Sequence, residues 1–258
     1  MRGLPRVKRV LNKLKSLATL RYISFPDLVQ CNLCGWKGRR FLSDSWHPYS
    51  VCPRCHSEVR HRLLIASLTY IEGISYEVIC QNKQMLHFAP ELMIQSILQQ
   101  YAAKYVTADF LRQNVDLRLD ISNMVALKDN EFDLVIACDV LEHVPNDIKA
   151  MQEIHRILRK GAYAILTVPQ KDFLEETFED PTVIDPQIRT HLFGQFDHLR
   201  IYGDNFQKIL ESVGFQVKVI NESNFPNEIV KKYVLFPPIL SDKPLATNYR
   251  KVFFAQKI

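Results

Sequence analysis

The chain has 258 residues, 47% of them apolar and 24% charged, with a formal net charge of +5. That length and apolar content suit one large domain with an appendage and exclude a disordered polymer. No apolar run approaches the roughly 18 residues needed to span a bilayer, and the N-terminus lacks the apolar block and cleavage site of a secretory signal, so a cytoplasmic location is expected.

Residues 1–62 hold 13 Lys/Arg against Asp27, Asp44 and Glu58, a net of +10, and the remainder carries −5. Within residues 1–30, "RVKRVLNKLKSLATLRY" sets Val7, Val10, Leu11, Leu14, Leu17 and Ala18 at helical spacing opposite Lys8, Arg9, Lys13 and Lys15. Such a basic amphipathic helix could cap the protein by its apolar stripe, or lie peripherally on an anionic membrane or on RNA. Its lack of acids also resembles a transit peptide. Residues 31–56 follow with "CNLCGW" and "CPRC", which supply Cys31, Cys34, Cys52 and Cys55 as C-x2-C-x17-C-x2-C. Two such knuckles can place four thiolates around one zinc ion, a closed and therefore structural site. The metal would contribute on the order of 10 kcal/mol to folding a segment too small for its own core.

"SEVRHRLLIASLTYIEG" predicts a helix from a Ser57 cap to Gly73, joining this ribbon to the rest across residues 57–83. From residue 84 to 258 strands and helices alternate. Strands are expected near 84–89, 104–108, 115–119, 132–138 and 162–168, with helices near 91–103, 146–159 and 204–213. Two further strands are expected near 215–220 and 250–257, with the Pro-rich "LFPPILSDKPLA" as a loop before the last. This pattern implies an open, largely parallel α/β sheet covered on both faces, with ligands beyond the carboxyl ends of its strands.

Those ends carry His87, Phe88, Ala89, Pro90 and Glu91 after the first strand, Asp109 after the second, Asp120 and Ile121 after the third, and Cys138 and Asp139 after the fourth, followed by "LEHV" with His143. A carboxylate at Asp109 can accept both hydroxyls of a ribose diol, and one at Asp120 can accept from an adenine amino group with Ile121 against the ring. Any single aspartate at such a place can equally cap the turn that follows.

The segment "DNEFDLVIACDVLEHVPNDIKAMQEIHRILRKGAYAILTVP", residues 129–169, resembles the central stretch of class I S-adenosylmethionine-dependent methyltransferases, and the resemblance runs over roughly 84–258. "CNLCGWKGRRF", "CPRCHSEVRHRLL", "HFAPE" and "FGQFDHLRIYGDNF" further resemble a subgroup that joins this Rossmann-like domain to an N-terminal zinc ribbon. The resemblance implies S-adenosylmethionine as cofactor and a methyl acceptor as substrate. It departs from the wider family in lacking the glycine-rich first loop, since no glycine occurs between Gly73 and Gly161. With no pyrophosphate to cradle, small Ala89, φ-restricted Pro90 and Glu91 toward the cofactor's ammonium group can serve instead. Candidate catalytic groups lie in "FGQFDHLRIYG": His198 as base, Asp197 to orient it, and Arg200 or Tyr202 on the acceptor. His143 is a second candidate base, at a position that in the family shapes the pocket floor beside the cofactor. A small-molecule or sugar acceptor is favoured, because the acid-rich "DFLEETFEDPTVID" would repel phosphate. An RNA acceptor gripped by the basic module, with Trp36, Trp46 and Tyr49 stacking on bases, and a noncatalytic cofactor-binding module are the alternatives.

Overall fold

The structure is a computed structural model describing residues 28–258. The expected N-terminal basic helix lies outside the described residues. Strands β1 (Val29–Gln30) and β2 (Lys37–Gly38) pair antiparallel, and a single bridge joins Leu42 to Val51. The main sheet contains β3 (Gln84–Phe88), β4 (Lys104–Asp109), β5 (Leu117–Arg118), β6 (Phe132–Cys138), β7 (Leu158–Thr167), β10 (Phe215–Ile220) and β11 (Val252–Lys257); the short β8 (Phe178–Glu179) and β9 (Arg200–Ile201) pair apart from it. Its order is β10-β11-β7-β6-β3-β4-β5, with β3 to β7 mutually parallel and β11 antiparallel to both neighbours. This is a mixed α/β fold built on a seven-stranded central sheet, Rossmann-like in its parallel core as expected.

The two-residue alternation of a strand sorts the apolar side chains onto two faces. Leu86, Phe88, Val135, Ala137, Ala164 and Leu166 pack with Met151 and Ile154 of the helix Asp147–Ile157 and with Phe206 and Leu210 of the helix Phe206–Val213. Met85, Leu134, Ile136 and Ile165 face the other way, onto Leu64 and Leu68 of the helix Val59–Tyr70 and Ile94 and Leu98 of the helix Leu92–Leu98. The helix that joins the ribbon to the sheet is therefore also one of its covering layers.

Several expected boundaries move. Glu58, not Ser57, precedes the first turn, and its backbone N–H donates to His61 Nδ1 at 2.9 Å. The helix expected over 91–103 ends at Leu98, because Asn82 and Ala103 bond the chain at Tyr101 and Lys83 into a turn leading to β4. The helix expected near 146–159 ends at Ile157, and Gly161, at a φ of +81°, lies inside β7, which begins at Leu158 and shifts register against β6 between Phe132 and Leu134. A helix at Pro186–Phe193 and another at Asn227–Tyr233 were not expected.

His87, expected beside the cofactor, is fully buried on the face of Met85 and shares a hydrogen bond of 2.6 Å with the Tyr105 hydroxyl. Alternation in β3 aims it into the sheet, away from the strand's carboxyl end. Arg62 is also fully buried. It donates to the carbonyls of Ser50 (2.6 Å), Ser57 (2.5 Å), Tyr233 (2.8 Å) and Val234 (3.0 and 3.2 Å), and its guanidinium stacks on Phe41 at 4.6 Å. These bonds tie the ribbon to the loop after residue 233, where Val234 sits at a φ of +50°, a strained conformation for a β-branched residue.

Two outcomes follow for stability. Arg62→Ala strips the donors from four buried carbonyls and is expected to cost about 3 kcal/mol or more in urea unfolding, with Arg62→Lys rescuing little because an ammonium cannot reproduce the planar fork. An unfolding midpoint unchanged by Arg62→Ala would remove this latch. Burial lowers His87 to about 4, so between the unfolded value near 6.5 and that value the folded chain binds fewer protons than the unfolded one. The stability tied to neutral His87 is complete above about pH 6.5 and declines as pH falls toward 4, by up to about 3 kcal/mol. A pH series of unfolding curves should show that decline, with a shallower one in His87→Phe.

Candidate active site at the strand ends and ribbon

The two cysteine knuckles are built alike. Gly35 N–H and His56 N–H bond back to the carbonyls of Cys31 and Cys52 at 2.9 Å each, and both residues take positive φ, +73° and +57°. Each turn thereby aims two sulfurs inward. Cys31 Sγ lies 3.6 Å from Cys55 Sγ, Cys34 Sγ lies 3.6 Å from Cys52 Sγ, and all four sulfurs fall within 4.8 Å of one another. Thiolates around zinc at about 2.3 Å would stand about 3.8 Å apart, so the donor set and spacing fit a closed tetrahedral ion. The Ser57 hydroxyl stands 3.3 Å from both Cys31 and Cys55.

At the first strand end, Ala89 adopts a φ of +47° and its N–H donates to Ala108 O at 2.8 Å. A left-handed turn thus occurs without glycine. Glu91 Oε1 accepts from His61 Nε2 (2.6 Å) and Arg60 (2.8 Å), while its buried Oε2 has no partner. Burial alone would raise this carboxyl, but His61 and Arg60 hold it below its ordinary value. Asp109 Oδ1 caps its own turn by accepting from Leu111 and Arg112 N–H, and Arg112 reaches Pro90 O at 3.0 Å. Asp120 Oδ1 accepts from Ser122 N–H and hydroxyl. Both aspartates therefore perform the capping duty; Asp120 keeps an outer oxygen, whereas Arg112 Nε lies 3.4 Å from Asp109 Oδ2. Phe88, Ile121 and Cys138 are buried in the cores on either side of the sheet.

Asp139, at a φ of +49° after β6, gathers three partners. Arg250 contacts both its oxygens (2.5 and 2.8 Å), Thr167 donates at 2.7 Å, and Arg60 Nε lies at 3.1 Å. Burial opposes its charge, yet the two guanidiniums hold its carboxyl far below the usual range. Arg60 also meets Glu58 and Glu91, so a single side chain links the ribbon's exit to two strand ends. Sequence reasoning missed Arg60 and Arg250 as site residues. Arg60 lay inside a quoted motif, whereas nothing local marked Arg250.

A cavity of about 480 Å³ opens here, walled by Trp46 and His47 of the ribbon, Asp139, Glu142 and His143 after β6, Pro169 after β7, Phe193 and His198, and Thr247 and Arg250. His143 and His198 meet edge to face at 4.7 Å. His198 Nδ1 bonds Phe193 O at 3.0 Å, and burial lowers its basicity. The expected pairing of Asp197 with His198 is replaced: Asp197 Oδ2 lies 3.3 Å from His143 Nδ1, and a backbone carbonyl orients His198. Arg200 and Tyr202 do not wall the cavity. Arg200 is buried on the carbonyls of Leu141 (3.0 Å), Val144 (2.6 Å) and Pro145 (3.1 Å), and Tyr202, fully buried, donates to Asp147 at 2.6 Å. They brace the turn carrying Glu142 and His143. The strand alternation that puts Ile201 on the cavity turns its neighbours away.

The chain is 40% identical over 88 residues to the protein MJ0638 of Methanocaldococcus jannaschii, a stretch that covers 33% of this chain and 38% of that relative. Solved structures with a similar fold include an S-adenosylmethionine-dependent methyltransferase from Mesorhizobium loti (12% identity, 69% of this chain and 93% of that one, TM-score 0.48). Another is a SAM-dependent methyltransferase from Archaeoglobus fulgidus (15% identity, 77% and 93%, TM-score 0.46). Residues 77–166, from the helix Tyr76–Ile79 to β7, match the family model described as a methyltransferase domain.

Proposed function

We propose that the protein is an S-adenosylmethionine-dependent methyltransferase acting on a small-molecule or sugar acceptor, with a structural zinc ion in the ribbon. The observation that carries the acceptor class is the cavity itself. It is roofed by ribbon residues, mixed in charge through Asp44, Glu58, Asp139, Glu142, Arg60 and Arg250, and of a size for one small polar molecule. The acidic segment 172–185 adjoins it through the pairing of β8 with β9 and the contact of Phe178 with Phe193. Negative charge there disfavours a polyphosphate. The aromatics that could stack on bases have other contacts: Trp36 packs on Phe41 at 5.5 Å, Trp46 lies under Lys243 at 4.8 Å, and Tyr49 lies under Arg40 at 5.0 Å.

When bound, S-adenosylmethionine supplies a methyl group activated by a sulfonium sulfur. Asp109 Oδ2, exchanging its contact with the exposed Arg112, would hold the ribose and Asp120 the adenine, with Ala89 and Pro90 giving close backbone approach, and Glu91 Oε2, buried without a partner, is the acceptor its ammonium group would satisfy. His143 and His198 face the cavity and can take a proton from an acceptor hydroxyl or amine.

Two measurements test the reading. Purified protein incubated with labelled S-adenosylmethionine and separate pools of small molecules, total RNA and protein should label the small-molecule pool. Salt-sensitive RNA labelling that disappears when residues 1–21 are removed would overturn the acceptor assignment. Metal analysis should find a tightly held zinc that Cys52→Ser loses, with soluble yield falling more than cofactor affinity. Zinc-free fresh protein would exclude the structural ion.

A further inference from the structure

One member of a cluster on the cavity floor, Glu142, has no role in the chemistry so far. Glu142, His143 and His198 each bring one donor atom within 4.8 Å of the other two. Glu142 is 1% exposed, and its Oε2 has no hydrogen-bond partner. Burial without a partner favours the neutral acid there, so the ionised carboxylate is held only with a cation beside it. The neighbouring guanidiniums are already engaged: Arg60 with Glu58, Glu91 and Asp139, and Arg250 with Asp139.

The two imidazoles are set for the same task. The Phe193 carbonyl can only accept, so His198 Nδ1 carries the proton and Nε2 keeps its lone pair. His143 Nδ1 lies 3.3 Å from the Asp197 carboxylate, so in the neutral ring Nε2 is the lone-pair nitrogen, 4.0 Å from Glu142 Oε1. A ring nitrogen held by a carboxylate or backbone carbonyl, with the other left free, is the arrangement that orients histidine for metal. The turn beneath them is itself fixed, since Arg200 bonds the carbonyls of Leu141, Val144 and Pro145 on either side of Glu142 and His143.

We propose that Glu142, His143 and His198 form a second metal site, distinct from the four cysteines, that binds a divalent transition-metal ion on the floor of the cavity. Two imidazoles and one carboxylate suit zinc, iron, cobalt or manganese and leave coordination positions open toward the cavity. An oxygen of the acceptor fits those positions. A bound ion would lower the pKa of an acceptor hydroxyl and so replace the general base, with the imidazoles acting as ligands. That role rests on the proposed methyl transfer; the ion's binding does not.

The test is zinc titrated by calorimetry into full-length protein already carrying its ribbon zinc. The wild type should take up a second equivalent per chain, and Glu142→Gln and His143→Ala should each weaken that event at least tenfold. His143 is a third exposed, so its alanine variant keeps the test open if the buried Glu142→Gln fails to fold. Absence of a second equivalent, or equal uptake by wild type and His143→Ala, would overturn the site. S-adenosylmethionine titrated without added zinc reports separately on the proposed function. Cofactor binding without a second zinc removes this site alone, and a second zinc without cofactor binding removes the methyltransferase reading alone.

Discussion

A guanidinium withdrawn from water must find acceptors for its N–H groups, and this structure is arranged around two that do so from one helical turn. Arg60 and Arg62 are two residues apart, so their side chains leave the helix Val59–Tyr70 in different directions. Arg62 turns to the ribbon and the Val234 loop, where main-chain carbonyls surround it. Arg60 turns to the strand ends, where Glu91 and Asp139 meet it. His61 lies between them, accepting from Glu58 N–H and donating to Glu91. Three consecutive residues thus tie together the ribbon, the first strand end and the fourth. Removing one partner from such a buried network leaves uncompensated charge, so its members are expected to act as a unit.

The same network accounts for what the sequence could and could not reveal. Strand β6 has the expected span, and β3, β4, β10 and β11 differ from theirs by no more than two residues, because their buried runs are flanked by turns or helix caps. The four cysteines converge as their spacing implies. Side-chain direction was the harder matter. Tyr202 sits in a motif-like stretch one residue from Ile201, which faces the cavity, and a one-residue shift along a strand reverses the face; His87 lies in β3, whose two faces are both buried in core. Arg250 was invisible because its partner, Asp139, is 111 residues away, and sequence periodicity carries no information over that distance.

The loop after β3 shows how a fold can omit a glycine. Left-handed backbone costs an L-residue about 1–2 kcal/mol, less where the side chain is small. Ala89 adopts it with only a methyl group to accommodate, secured by its bond to Ala108. Asp139 adopts it with a large side chain. There the strain is opposed by Arg250, Arg60 and Thr167, and by its own N–H bonding Thr167 O at 2.9 Å. Strain concentrated at two neighbouring strand ends, and held by contacts from other elements, is the usual condition of a ligand-binding edge.

The ribbon therefore does more than cover a surface. Only four residues separate Cys55 from Arg60, and the second knuckle closes through the bond from Cys52 N–H to Ser57 O, the same carbonyl that receives Arg62. Holding the cysteines in place consequently fixes Ser57, and with it the start of the helix that aims Arg60 at Asp139. The preceding loop places Trp46 and His47 on the cavity wall, fixed by Asp44, which accepts from both their N–H groups. A metal ion at the knuckles would thus stabilise the cavity without touching it. Its influence would pass through a short, hydrogen-bonded segment with little freedom to relax, so ribbon and cavity are best regarded as one functional unit.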